Sequence, residues 1–190
     1  MKKIYFAVLA LACGLMMAAC SDPALDAEYG NTLIYMPQAT HNIWVDNNLN
    51  VNVSKSALNS APGHQTETTL GIYRSGTAPK QSFSVDLKIV ADTLAAAKAI
   101  AMTAGAPPKY DIYKTGILLD PLYYDPLPEK LTVKDGERQA TTKLVLHDGD
   151  LTATYAVGQI LLLPVRIENP TKYEINESLA LTMVVVKITD

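Results

Sequence analysis

From Phe83 to Ile89 the chain alternates without a break: Phe83, Val85, Leu87 and Ile89 are apolar, while Ser84, Asp86 and Lys88 are polar. A period of two puts these sets on opposite faces of an extended strand, so the stretch is predicted to lie half buried in a sheet. Two longer apolar runs, Ile160 to Glu168 and Leu179 to Ile188, are rich in β-branched residues and read as central strands. Leu161, Leu163, Val165 and Ile167 share one face of the first run, and Val184, Val186 and Ile188 share one face of the second.

Shorter candidates surround these three. Thr32 to Met36 reads as a strand stopped by Pro37, which has no N–H to give to a ladder. Further strands are expected at about 49–54, at 70–74 before Ser75-Gly76, at 131–134 and at about 139–147. The last two flank Asp135-Gly136, a tight-turn pair that predicts a hairpin. A loop is expected around Ser60-Ala61-Pro62-Gly63, and Asp148-Gly149-Asp150 reads as another turn. One helix is predicted, with Asp92 as N-cap, Leu94 to Met102 as its body, and Gly105, Pro107 and Pro108 ending it. Its small alanines would let it lie close against a sheet edge or barrel mouth. Residues 109–128 carry too many prolines for one long element. Seven or eight strands at turn-spaced intervals, with one short helix insertion, make a mainly β protein: a single β-sandwich domain over 32–190.

The N-terminus reads as an address. Lys2 and Lys3 precede the uncharged apolar run Ile4 to Leu15, and Met17-Ala18-Ala19 ends in Cys20. The pattern predicts a lipoprotein signal peptide over 1–19, a lipidated Cys20 and a tether over 20–31. Met17 stands where such signals commonly place Leu, and Cys13 is a competing site with a shorter apolar stretch before it. The run is shorter than the roughly 20 residues a spanning helix needs. An outer-membrane or cell-surface location held by lipid follows as an expectation, with the periplasmic face as the alternative.

Charge narrows the partners. The chain has 16 basic against 19 acidic residues, and cleavage would remove Lys2 and Lys3. An acidic chain without a basic cluster is a poor match for nucleic acid, so membrane contact is expected through the lipid alone. With Cys13 discarded and Cys20 acylated, no disulfide, Cys metal site or thiol nucleophile is expected.

No catalytic set stands out, and no metal or cofactor is expected. His41, His64 and His147 lack the spacing of a zinc helix. Asp148 and Asp150, with Asp120 and Asp125, could offer oxygens to calcium, but turn chemistry accounts for Asp148-Gly149-Asp150 and the EF-hand spacing is absent. Trp44 and the tyrosines Tyr110, Tyr113, Tyr123 and Tyr124 are candidate ligand-binding residues, because sugars stack their C–H faces on aromatic rings. The competing reading has the tyrosines plugging an end of the sandwich. Asp92-Thr93-Leu94 fits a short O-glycosylation pattern, against which stands the N-cap reading of Asp92.

Several segments together resemble the N-terminal domain of unknown function of Bacteroides-type surface lipoproteins, often found ahead of glycan-binding or glycoside-hydrolase modules. They are Ile34 to Ala39, Phe83 to Asp92, Tyr123-Tyr124 with Leu127-Pro128, Leu131 to Gly136, Leu163 to Ile167, Tyr173 to Glu177 and Leu181 to Val186. The resemblance implies an immunoglobulin-like sandwich near glycan capture and supplies no catalytic residues. This chain is expected to stop at Asp190 without the enzymatic or lectin module that usually follows. The leading expectation is a non-catalytic surface lipoprotein assisting glycan or other extracellular ligand binding. The alternative is a structural or assembly subunit, adhesin-like or transporter-associated, meeting a surface-protein partner through strand edges such as Leu179 to Ile188.

Overall fold

A computed structural model describes residues 31–39, 48–56, 60–77 and 79–190. Cys20, the tether before residue 31, His41 and Trp44 lie outside the described residues. Two sheets face each other across the core. The four-stranded sheet has the order β7-β3-β1-β9, built from β1 (Leu33–Tyr35), β3 (Gln65–Arg74), β7 (Gln139–His147) and β9 (Glu174–Ile175). The six-stranded sheet runs β2-β10-β8-β4-β6, from β2 (Asn48–Ser54), β4 (Phe83–Ile89), β6 (Lys130–Val133), β8 (Ile160–Glu168) and β10 (Leu181–Thr189). Its sixth strand, β5 (Ile117–Leu118), pairs with β8 in parallel. The chain is mainly β, an immunoglobulin-like sandwich, and Thr32–Asp190 forms one compact unit.

Phe83, Val85 and Leu87 are buried in the core, as the alternation requires. Leu161, Leu163, Val165 and Ile167 meet them from β8, with Val184, Val186 and Ile188 from β10 and Ile34, Leu70, Ile72, Leu144 and Leu146 from the opposing sheet. The other faces of β8 and β10 are apolar too, at Leu162, Met183 and Val185, and a second core covers them. Its lid is α1 (Ala91–Ala101), which buries Leu94, Ala97 and Ala101 there. The helix therefore lies on a sheet face rather than at an edge or barrel mouth, and its alanines permit close approach. It begins one residue before Asp92, with Val90 at the N-cap, so Asp92 sits in the first turn without making a side-chain cap.

Pro164, in the middle of β8, marks where β4 leaves the sheet. Val90 N–H donates to its carbonyl at 3.1 Å, on the side where Val165 pairs with Ile89, and the next pairing on that side is β5 with Leu161 and Leu162. The missing proline N–H therefore falls in the gap between two neighbours and breaks no ladder bond. Gly116, just before β5, is required by closeness: a Cβ there would stand 2.4 Å from Leu162 Cδ1.

Three expectations are corrected. Asp135-Gly136 turns tightly, with Gly136 at φ +83°, but β6 and β7 belong to different sheets and do not form a hairpin. Asp135 instead accepts from Ser82 N–H, and Gly136 N–H donates to the Lys80 carbonyl at 2.8 Å, so the turn is a corner pinned to the loop before β4. The C-terminal run is an interior strand, because β10 pairs with β2 in parallel on one side and β8 antiparallel on the other. Edge contacts through Leu179 to Ile188 are closed off. The strand expected at 70–74 extends back to Gln65, where a polar half alternates with solvent and pairs with β7 up to His147.

Candidate functional site

Asp120 starts the segment that shapes one end of the sandwich. Its Oδ1 accepts from Leu122 N–H at 2.9 Å, capping a short 3-10 turn over Pro121–Tyr123 with proline at its first position. Tyr124 then returns to extended backbone, bridges Leu146, and lets Asp125 N–H donate to the Val145 carbonyl at 3.0 Å. Residues 120–129 thus strap the open side of the sandwich and add to the edge of β7. Leu87 N–H fastens the far end of the strap through the Glu129 carbonyl at 2.9 Å.

This local fold sends neighbouring tyrosines in opposite directions. Tyr124 points into the main core at 6 % exposure. Tyr123 stays half-buried at the surface, packs edge-on against Tyr155 with centroids 5.5 Å apart, and donates its hydroxyl to Thr154 Oγ1 at 3.2 Å. Tyr155 follows α3 (Asp148–Thr154), the helix that leaves β7. Burial first, and then charge repulsion from the Tyr123 phenol and the Asp120 carboxylate, push the Tyr155 hydroxyl pKa above the usual tyrosine value.

Two histidine–aspartate pairs flank the junction of β7 and α3. His147 Nε2 lies 2.9 Å from Asp125 Oδ1, and its Nδ1 lies 3.2 Å from the Leu122 carbonyl. Both partners only accept, so the geometry suits the doubly protonated ring, and the Asp125 hydrogen bond holds the His147 pKa above the ordinary histidine value. One residue on, Asp148 is fully buried, and its Oδ2 accepts from Thr66 Oγ1 and faces His64 Nδ1 at 3.0 Å. The other oxygen, Oδ1, is buried without a hydrogen-bond partner among the described residues. Gly149 packs so tightly on the loop of residues 60–64 that a Cβ would stand 2.6 Å from the Ala61 carbonyl oxygen. Asp148-Gly149 is therefore a buried docking point at a helix start where a turn was expected, and Asp148 offers no open calcium ligand. Among the described residues no group of three or more His, Cys, Asp or Glu could hold a metal ion.

The tyrosines singled out by sequence do not form one platform. Tyr110, in a 3-10 turn over Pro108–Tyr110, and Tyr113, in α2 (Asp111–Thr115), pack in the second core beneath α1 at 8 % and 0 % exposure. Tyr123 and Tyr124 belong to the strap, and of the four only Tyr123 keeps a half-exposed ring. Tyr155 and the His64–Asp148 pair were missed, since nothing in the local sequence ties Tyr155 to Tyr123 or His64 to a residue on another strand. The Asp-Thr pattern at Asp92-Thr93 falls in the first turn of α1, where Thr93 is half-buried.

No family model matches the chain, and no curated protein does. Solved structures do. A "putative carbohydrate binding protein" from Bacteroides ovatus aligns with TM-score 0.56 and 11 % identity over 83 % of this chain and 37 % of its own. A two-domain protein of unknown function from Bacteroides fragilis aligns with TM-score 0.51 and 13 % identity over 84 % of this chain and 46 % of its own. EndoBT-3987 of Bacteroides thetaiotamicron, solved with a Man5GlcNAc product, aligns with TM-score 0.51 and 17 % identity over 82 % of this chain and 30 % of its own. The chain spans less than half the length of each, and at these identities the likeness is one of fold.

Proposed function

We propose that this chain is a membrane-anchored, non-catalytic lipoprotein of the cell surface that binds glycan at the strapped end of its sandwich, with the acylated Cys20 as its anchor. The observation that carries the reading is the half-exposed Tyr123–Tyr155 pair beside His147 and Asp125. Aromatic rings accept the C–H face of a pyranose, while the exposed Asp125 carboxylate, held in place by His147, meets its hydroxyls. These groups sit on a capped turn and strand ends, so little ordering is needed on binding. The polar groups are engaged with one another: His147 has both ring nitrogens hydrogen-bonded, which leaves it no lone pair for a general base. The carbohydrate-binding description of the Bacteroides ovatus relative points the same way.

The test is a glycan array probed with the chain from Ser21 onward, with calcium and with chelator. Specific binding is expected, abolished by Tyr155→Ala with the melting temperature little changed. A folded chain that binds no glycan would sink the reading. The assembly-subunit reading keeps one observation: β7 lies at a sheet edge, covered among the described residues only at Val145 and Leu146 by the strap. Specific capture of a membrane protein that a lysine-to-proline change at Lys143 abolishes would favour that reading.

A further inference from the structure

The outer face of the four-stranded sheet runs on from the strapped end. Leu70, Ile72, Leu144 and Leu146 point into the core, so alternation turns Gln65, Thr69 and Tyr73 of β3 outward with Gln139, Thr141 and His147 of β7. The register sets Tyr73 beside Gln139 at one end of this ribbon and Gln65 beside His147 at the other. On its second side Tyr73 pairs with Tyr35 of β1, and the two rings stand 5.4 Å apart, tilted by 48°. Both tyrosines are half-buried, and neither hydroxyl has a hydrogen-bond partner among the described residues. Gly71, where a Cβ would stand 3.0 Å from the Ala140 carbonyl oxygen, presents no side chain and keeps the face low beside Tyr73. Gln139 and Thr141 are exposed and line an open recess of about 560 Å³. An aromatic pair thus stands at one end of the ribbon. His147, which holds Asp125 of the proposed glycan site, stands at the other.

The chemistry of this face selects an uncharged, hydroxyl-bearing chain. Its full charges are cancelled in place, since Lys143 pairs with Glu67 and His147 with Asp125. The ribbon therefore gives no cationic stripe to a phosphate backbone. Val145 is its one outward aliphatic side chain, so it lacks the apolar core of a protein interface. It does offer phenol rings for C–H faces, and Thr and Gln side chains that both donate to and accept from hydroxyls. The rise from Gln139 to His147 spans about 27 Å at ~3.4 Å per residue, the length of about five β-1,4-linked pyranoses at ~5 Å each. An equatorially linked chain of this kind runs straight, as the ribbon does, whereas α-1,4-linked chains coil away from it. We infer that the outer face of the four-stranded sheet is an extended track for a neutral β-1,4-linked glycan. Tyr73 and Tyr35 form its far aromatic subsite, and the strapped end is its other terminus. This deepens the glycan reading and rests on it.

The experiment is a calorimetric titration of the full chain with the hexasaccharides and disaccharides of β-1,4-glucan, β-1,4-mannan and β-1,4-xylan. At least one hexasaccharide is expected to bind about tenfold tighter or more than its disaccharide. Tyr73→Ala is expected to bring that ratio close to one. Thr141→Arg, at an exposed position, lays bulk across the track and should do the same without touching the core. Equal affinities for hexasaccharide and disaccharide would overturn the track and leave the glycan reading standing. A preference that survives both substitutions would also overturn it, by placing the added contacts elsewhere. If none of these probes binds but another glycan on the array does, the track alone is overturned. Silence from the probes and from the array together would overturn both readings.

Discussion

The two tyrosine pairs have the same chemistry and opposite fates. Tyr110 and Tyr113, with centroids 6.3 Å apart, are enclosed between α1 and the outer face of the six-stranded sheet. Tyr123 and Tyr155, 5.5 Å apart, remain half-exposed at the end of the sandwich. The difference comes from the floor each pair meets. Leu162, Met183 and Val185 present an apolar surface that must be covered, and the first pair joins the lid. The strapped end offers backbone carbonyls, Asp125, His147 and Thr154 instead, so the second pair finds polar partners and keeps a face to solvent. An aromatic cluster in sequence is thus divided by the strands it lands on.

The largest expected effect breaks the buried pair. Tyr113→Ala removes a side chain with no exposed surface and should cost about 3–4 kcal/mol of unfolding free energy, read from urea denaturation. If the variant folds with a loss below about 1 kcal/mol, the second core is not the structural layer described.

Next comes the buried acid beside the exposed pair. Asp148→Ala would strand the Thr66 hydroxyl and the His64 Nδ1 without their shared acceptor. A loss of about 2 kcal/mol is expected by the same measurement, with Asp148→Asn intermediate because it retains one acceptor oxygen. Equal stability of all three proteins would mean the pair does not hold the loop of residues 60–64 to α3.

A smaller effect sharpens the comparison. Tyr155→Ala removes a surface edge-on contact and should cost only about 1 kcal/mol, while abolishing any glycan binding. Tyr113→Ala assayed under conditions where it is folded should keep that binding. The reverse pattern would exchange the roles assigned to the two pairs.

What the sequence makes legible follows from local rules. The alternation of Phe83 to Ile89 and the runs of β8 and β10 encode their strands because periodicity and β-branching act within the segment. The strap reads as irregular from its prolines, and the cap at Asp120 follows from Asp-Pro chemistry. What stays hidden depends on distant partners. Asp135-Gly136 has the residues of a hairpin turn, yet whether the next strand folds back or crosses to the other sheet depends on the core that Leu144 and Leu146 join. That β8 and β10 are apolar on both faces implies a covering layer, and α1 with Tyr110 and Tyr113 is that layer. The alanines and tyrosines already read as packing residues, but the surface they cover is a sheet face and not an edge or an end of the sandwich. His64–Asp148 and Tyr123–Tyr155 join residues far apart in sequence, so no local signal could bring them together.

The smallest effect concerns protons at the strap. His147 has its pKa raised in the folded chain, first by its hydrogen bond to Asp125 and also by the Leu122 carbonyl. The charged ring therefore binds its proton more tightly when folded than when unfolded. Its stabilisation is fully present below the unfolded value of about 6.5 and is lost as pH rises through the higher folded value. Because Asp125 is exposed, the pair should contribute only about half a kcal/mol, less at high salt. Amide exchange of Asp125 N–H, which fastens the strap to Val145, should accelerate over that alkaline window beyond the intrinsic pH dependence, and His147→Gln should remove the excess. Among the described residues the Tyr110–Tyr113 layer contains no histidine, and it should show no such step. A step of equal size in both regions would mean that pH loosens the whole sandwich and that the strap does not titrate on its own.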